Sequence, residues 1–260
     1  MIKLNTIKKV SLPPEHGSWS FVLEPLILSL LVAFSSAGLF LAVTTFFIFL
    51  NHQPIRVLLN KKINKQLFLP ALLFFVIYSV LIVVCFFSVY RNTQIIYLLP
   101  FAVAVFLMAV FFILELLQKG RKLLAEFIAP ISITFIGISI VLIGGWKILP
   151  AAAFAVVLLA RSIPTVLYIH LKVQHIKKKK LSKQLFYFLE FIFFVLIIVL
   201  VMFNLVPRLS IIASIILIGR AIYGLSEKGL RENIKTIGIR EFIYGILYVV
   251  IVYIGYNFNL

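Results

Sequence analysis

The chain has 260 residues, 63% of them hydrophobic, and its mean hydropathy is +1.16. A soluble domain would have to hide nearly all of this apolar surface from water, so the composition excludes one and indicates a membrane protein. The formal net charge is +17. A basic cytoplasmic rim facing anionic lipid head groups accounts for that charge. We therefore expect membrane lipids as partners and no nucleic acid.

Nine apolar stretches have roughly the length that a helix needs, about 20 residues, to cross about 30 Å of hydrocarbon. They predict an all-α polytopic membrane protein with about nine transmembrane helices in one bundle. With no soluble domain or linker visible, residues 1–260 are expected to form a single integral membrane domain. The predicted spans are residues 17–35, 37–54, 67–89, 94–116, 125–144, 148–171, 185–204, 207–223 and 239–257.

The positive charges alternate between the connections. Twenty of the 25 Lys and Arg residues lie in the N-terminal tail and in every second connection between the spans. The other four connections contain only Arg91, Lys147 and Arg208. Short loops rich in Lys and Arg stay on the cytoplasmic side of a membrane. The pattern predicts a cytoplasmic N-terminus and, after nine crossings, a C-terminus outside.

The first polar segment, Pro13-Pro14-Glu15-His16-Gly17-Ser18-Trp19, opens span one. His16, Ser20 and Glu24 follow at positions i, i+4 and i+8, so they share one helix face. One interpretation is structural: Glu15 caps the helix dipole and Trp19 is an interfacial belt residue. In the other, Glu15 or His16 is an acid or base, and Trp19 and Glu24 contact a ligand.

The second polar segment, Asn51-His52-Gln53-Pro54-Ile55-Arg56, ends span two. Pro54 removes one helical hydrogen bond, and backbone freed at membrane depth must be satisfied by neighbours or line a cavity. His52 and Arg56 share a face. The segment is either a polar helix terminus at the interface or part of a ligand site.

The third polar segment begins at Arg161 in span six and ends at Lys172. At about 100° per residue, Arg161, Thr165, Tyr168 and Lys172 fall on one stripe. Arg161 is too deep to remain unpaired, so the stripe is expected to face protein. A snorkelling arginine is the alternative to a ligand site.

These segments together resemble a family of bacterial membrane proteins, the YwiC-like family. The resemblance rests on Pro14-Glu15-His16-Gly17-Ser18-Trp19, Gln53-Pro54-Ile55-Arg56, Arg161-Ser162-Ile163-Pro164-Thr165-Val166-Leu167-Tyr168 and Gly238-Ile239-Arg240-Glu241. It runs nearly end to end. It implies a multi-pass protein of the bacterial cytoplasmic membrane.

The architecture is also similar to that of the UbiA-type intramembrane prenyltransferases. In that superfamily, Asp-rich motifs after helices two and six hold Mg²⁺ against a diphosphate. This chain contains no Asp, and Mg²⁺ needs hard oxygen ligands such as carboxylates. At the corresponding places stand side chains such as Arg56 and Arg161, and arginine binds phosphate or carboxylate directly. We therefore expect no metal and no cofactor.

The resulting hypothesis is a membrane protein that binds an amphipathic anionic ligand, an isoprenoid or lipid phosphate, in a cytoplasmic-side cavity. The alternatives are a transporter or permease and a non-catalytic subunit or assembly factor. The acid or base candidates are Glu15, His16 and His52. The candidates for ligand binding are Trp19, Glu24, Asn51, Gln53, Arg56, Arg161, Tyr168 and Lys172.

Overall fold

The structure is a computed structural model that describes residues 7, 10–13, 16–59, 65–117, 123–177, 182–230 and 232–260. Within these ranges the fold is helical and contains no strand. A 3-10 turn, Ile95–Leu98, precedes α4, and one helical turn, Glu227–Leu230, precedes α9. The longer helices are α1 (His16–Val32), α2 (Ser36–Leu58), α3 (Lys65–Arg91), α4 (Leu99–Leu116), α5 (Leu123–Ile143), α6 (Ile148–Ile176), α7 (Gln184–Met202), α8 (Leu209–Gly224) and α9 (Ile234–Phe258).

In the described part of the chain, seven helices are long and apolar enough to cross a membrane. They correspond to the second to seventh and the ninth predicted spans. The first and eighth predicted spans correspond to shorter apolar helices, Trp19–Val32 and Leu209–Gly224. The all-helical prediction is confirmed, and the seven apolar helices suit an integral membrane protein. The count of nine crossings and the sidedness of the termini stay predictions.

Several hydroxyl groups inside the bundle bond to the backbone of their own helices. The Oγ atom of Ser29 donates to the carbonyl of Pro25 at 2.7 Å, and Oγ1 of Thr134 donates to the carbonyl of Pro130 at 2.9 Å. A donor bonded to the carbonyl four residues earlier does not suffer the cost of an unpaired polar group in an apolar medium. Such hydroxyls are therefore compatible with apolar spans and do not by themselves mark a site.

Helix α6 lies in the middle of the bundle. In the most apolar 18-residue stretch of α6, 72% of the residues are buried inside the protein, against 11% in the corresponding stretch of α3. It packs against α5, α7, α8 and α9, while α1 packs against α2, α5 and α9. The first and last helices are thus neighbours, and side chains on α1, α6 and α9 can meet inside the bundle.

A close backbone contact joins the ends of α1 and α5. Gly144, just after α5, lies against Ala33, just after α1. The chain then turns into α6 through Gly145. Its φ of +90° is a backbone conformation that residues with a Cβ rarely adopt. The connection between α5 and α6 therefore depends on two adjacent glycines for two different reasons.

We expect Gly144→Ala to destabilise the bundle. An added Cβ would lie 2.5 Å from the carbonyl oxygen of Ala33, a backbone atom that no side-chain rotation moves away. Overpacking of this kind lowers the free energy of unfolding by about 1–3 kcal/mol. The measurement is the midpoint of thermal unfolding in detergent, followed by circular dichroism. Gly219→Ala is the control, because a Cβ there meets nothing within 4 Å. Equal midpoints for the two variants would contradict this packing.

Candidate functional site

The stripe on α6 faces protein, as the depth of Arg161 requires. Arg161, Thr165, Tyr168 and Lys172 are all buried, and Tyr168 and Lys172 are each 1% exposed. Because these residues recur every three or four positions, they form one polar line along an otherwise apolar helix. Each of them meets side chains from neighbouring helices.

Glu24 of α1 neutralises one edge of the Arg161 guanidinium. The Nε atom lies 3.1 Å from Oε2 of Glu24, and Nη2 lies 3.4 Å from Oε1. Ser20, one turn earlier on α1, donates a hydrogen bond to the same carboxylate. Gly245 of α9 makes room for it, since a Cβ at that position would overlap the Glu24 carboxylate. The pair therefore fixes α1 against both α6 and α9.

Glu241 of α9 contacts the other side of Arg161. Its Oε2 lies 3.5 Å from Nη1 of Arg161, and its backbone carbonyl accepts a hydrogen bond from Nη2 at 3.1 Å. The same Oε2 lies 2.6 Å from Nη1 of Arg220 on α8. Thr165 accepts hydrogen bonds from both arginines. Two arginines and two glutamates thus join helices α1, α6, α8 and α9.

Tyr168 connects this group to a second set of charges. Its ring centroid lies 4.6 Å from Cζ of Arg220 and 4.8 Å from Nζ of Lys172. Lys172 pairs with Glu232 at 3.1 Å, and Arg240 pairs with Glu232 at 2.7 Å. We call the complete set the ion network: Glu24, Arg161, Arg220, Glu241, Lys172, Glu232 and Arg240.

The ion network extends from the middle of the bundle toward one end. Glu24 is the ninth of the 17 residues of α1, and Arg161 is the fourteenth of the 29 residues of α6. By the rise of about 1.5 Å per residue, Glu24 is about 12 Å from the start of α1 and Glu241 about 10 Å from the start of α9. Arg220 is about 6 Å from the end of α8. These three helix ends belong to the side that the lysine pattern predicts to be cytoplasmic.

A cleft between α1, α6 and α9 lies against the network. It encloses about 630 Å³, its open mouth included. Polar side chains on its surface include Ser20, Glu24, Arg161, Thr165 and Glu241, and the apolar part of its lining includes Phe21, Leu28, Leu158, Phe242 and Val249. The cleft therefore places a charged surface next to an apolar one.

The polar segment of α2 belongs to a different cluster. The Nε2 atom of His52 lies 2.6 Å from Oε2 of Glu115 on α4, and Arg56 lies 3.7 Å from the same carboxylate. Asn51 donates to Ser79 of α3 at 3.1 Å. Gln53 is buried. Since α2, α3 and α4 do not line the cleft, the described contacts divide the predicted site residues into two groups.

The remaining predicted residues lie around α1. Glu15 and the side chain of His16 fall outside the described residues. The ring of Trp19 packs against Phe46 and Phe49 of α2, with centroids 6.1 Å and 5.4 Å away. Trp19 therefore lies on the α2 side of α1, and Glu24 lies on the α6 and α9 side.

Sequence reasoning left four partners out of the site: Arg220, Glu241, Glu115 and Glu232. A charged residue inside an apolar span is itself a sign of a buried partner or a functional group. Arg220 and Glu241 carry that sign, because each interrupts an otherwise apolar helix. The sequence does not show which helices pack together, so it does not identify the partner of either residue.

The residues do not fit a magnesium site of the prenyltransferase type. The two carboxylates that line the cleft, Glu24 and Glu241, are both paired with guanidinium groups. In the described ranges, no group of three or more His, Cys or Glu side chains could hold a metal ion. The chemistry supported by this arrangement is ion pairing and anion recognition by arginine.

A protein-family model described as YwiC-like protein matches residues 12–141, half of the chain. No curated protein and no solved structure matches significantly. The matched half contains Glu24 and the polar segment of α2, whereas Arg161, Arg220 and Glu241 lie beyond it. The resemblance in architecture to UbiA-type prenyltransferases stays a prediction.

We expect Arg161→Met to be strongly destabilising, because it leaves Glu24 without a guanidinium partner. Removing one partner of a buried ion pair costs about 3–5 kcal/mol. The measurement is the thermal unfolding midpoint in detergent. Arg91→Met is the matched control, since Arg91 is exposed.

The double variant Arg161→Met/Glu24→Gln separates charge from packing. It removes the carboxylate that Arg161→Met leaves unpaired, so part of the lost stability is expected to return. A double variant as unstable as Arg161→Met alone would show that charge pairing is not what stabilises this contact.

Proposed function

The chain belongs to the YwiC-like family, and we propose that it binds an amphipathic anionic ligand in the cleft between α1, α6 and α9. The ligand class is an isoprenoid or lipid carrying a phosphate. The observation that carries the proposal is the cleft itself, which joins the ion network to an apolar wall. Ligand sites typically combine a mostly apolar lining with a few placed polar groups.

The arginines of the ion network favour an anionic head group. The network has four cations and three carboxylates, and the buried carboxylate of Glu190 on α7 is within electrostatic range of Arg220. The proposal therefore rests on the chemistry of arginine and not on an excess of charge. The planar N–H donors of a guanidinium bind phosphate without a metal ion.

The apolar lining favours a hydrocarbon tail. Phe21 and Phe242 are part of this lining, and Phe242 is also exposed at the surface of the bundle. Burying hydrocarbon gains about 25 cal/mol per Å² removed from water, so a tail adds affinity that the head group alone lacks. The proposal therefore names an amphipathic ligand and not a free ion.

The predicted residues take different roles in this proposal. Arg161 and Glu24 line the cleft at its charged side, whereas Tyr168 and Lys172 lie outside its lining and belong to the contacts around Arg220 and Glu232. Glu15, His16 and His52 remain the proposed acid or base groups, His52 being paired with Glu115. Histidine suits proton transfer near neutral pH. Asn51, Gln53, Arg56 and Trp19 do not line the cleft, and their role in ligand binding stays a separate prediction.

A transporter is the less favoured alternative. Transport sites of known folds lie near the bilayer midplane, between repeats built from discontinuous helices. Helices α1 and α6, which carry Glu24 and Arg161, are continuous instead. The ion network extends from these residues toward the side predicted to be cytoplasmic, which suits a binding protein or an enzyme of the membrane surface better.

We further propose nine crossings of the bacterial cytoplasmic membrane, with the N-terminus inside. In a Cys85→Ser background, Asn257→Cys, at the exposed C-terminal end of α9, is expected to react with a membrane-impermeant maleimide on intact cells. Ser182→Cys, after α6, is expected to react only after permeabilisation. Labelling of both positions from the same side would mean that α8 does not cross, because α7 and α9 alone return the chain to its starting side.

The proposed ligand is tested by filling the cleft. Gly238 lines it, and a Cβ at this position meets nothing within 4 Å, so we expect Gly238→Leu to be accommodated and to place apolar bulk at the cleft. Native mass spectrometry of the purified protein is expected to find a retained phosphate-bearing lipid or isoprenoid. Gly238→Leu is expected to lose it, and Gly219→Leu, at an exposed glycine, to keep it. Equal retention in both variants would remove the cleft from the proposal.

A further inference from the structure

Arg220 is buried but only partly paired. Its Nη1 group donates to Glu241 at 2.6 Å and to Thr165 at 3.1 Å. Its Nε and Nη2 groups have no hydrogen-bond partner among the described residues, although the side chain is only 1% exposed. Buried donors left unsatisfied are rare in proteins, and each is a sign of a missing partner.

The two free groups form one edge of the planar guanidinium. That edge presents two parallel N–H donors, a shape that matches two oxygens of a carboxylate or phosphate. Arg161 demonstrates the match within this protein, because its own Nε and Nη2 face the two carboxylate oxygens of Glu24. The equivalent edge of Arg220 therefore has the same two donors, and no acceptor among the described residues uses them.

The carboxylates near Arg220 do not fill this edge. Glu241 uses Oε2 for Nη1 of Arg220, and its Oε1 has no partner in the described part of the chain. Glu190 on α7 is within electrostatic range of Arg220 and buried, and its Oε2 is also unpartnered. Glu190 is thus a carboxylate near Arg220 that does not hydrogen bond to this edge.

We infer that the Nε–Nη2 edge of Arg220 is an anion subsite that binds two oxygens of one phosphate or carboxylate group. The inference rests on the proposed function, because Thr165 and Glu241, which hold Arg220, both line the cleft. The ring of Tyr168, 4.6 Å from Cζ of Arg220, stacks against the guanidinium and fixes its orientation. The head group of the ligand lies at Arg220, and Glu190 weakens its binding by charge repulsion.

Three variants test this subsite. One is expected to weaken binding, one to tighten it and one to leave it unchanged. Binding of octyl phosphate and of inorganic phosphate to the purified full-length protein is measured by isothermal titration calorimetry in a neutral detergent. Arg220→Gln is expected to weaken binding of both probes by about tenfold or more, since a charged bidentate hydrogen bond is lost. Glu190→Gln is expected to tighten binding by about fivefold, because a nearby negative charge is removed. Arg208→Gln, at the exposed opposite end of α8, is expected to change nothing.

The outcomes separate the subsite from the proposed ligand. Wild-type affinity in Arg220→Gln, or unchanged or weaker binding in Glu190→Gln, overturns the Arg220 subsite. If Arg220→Gln does not fold, Glu190→Gln alone decides. Equal affinity of the wild type for octyl phosphate and inorganic phosphate overturns the amphipathic ligand but leaves the subsite standing. Binding of neither probe to the wild type overturns both.

Discussion

The guanidinium of Arg161, buried between two carboxylates, is the contact on which the arrangement of four helices depends. A charge in an apolar interior is stable only when it is paired and its hydrogen bonds are satisfied. Glu24 occupies one edge of the guanidinium, and the carboxylate and the backbone carbonyl of Glu241 occupy the rest. Helices α1 and α9 must therefore present these groups at the depth of Arg161. This requirement fixes the position of both helices along the axis of α6 as well as their distance from it.

Small residues determine how closely those helices approach. A Cβ at Gly245 would overlap the Glu24 carboxylate, and a Cβ at Gly224 would overlap the ring of Tyr168. Association of helices in a membrane depends on such close packing, because lipid tails are as apolar as the side chains they contact. The geometry of the ion network is thus set by two glycines as much as by its charged members. The Nε–Nη2 edge of Arg220, which lies within this geometry, has no hydrogen-bond partner among the described residues.

The sequence predicts which polar residues share a helix face, but it does not predict which residues of other helices they contact. Helical spacing correctly places Arg161, Tyr168 and Lys172 on one face that points into protein, because both periodicity and the cost of a buried charge act within a single helix. Glu24 is 137 positions from Arg161, and Glu115 is 63 positions from His52. A buried charged side chain needs a partner of opposite charge. Which residue becomes that partner depends on which helices pack against each other. The segment of α2 accordingly pairs with α4 and does not join the cleft.

The ion network joins the half of the chain matched by the family model to the half beyond it. Glu24 lies in the first half, whereas Arg161, Arg220 and Glu241 lie in the second. Because helices enter a membrane before they associate laterally, Glu24 is without its guanidinium until α6 is in place. The same holds for Arg161, which needs both the earlier α1 and the later α9 to complete its contacts. Closure of the bundle between its first and last helices is therefore also the step that creates the charged surface of the cleft, so the candidate site exists only in the fully assembled bundle.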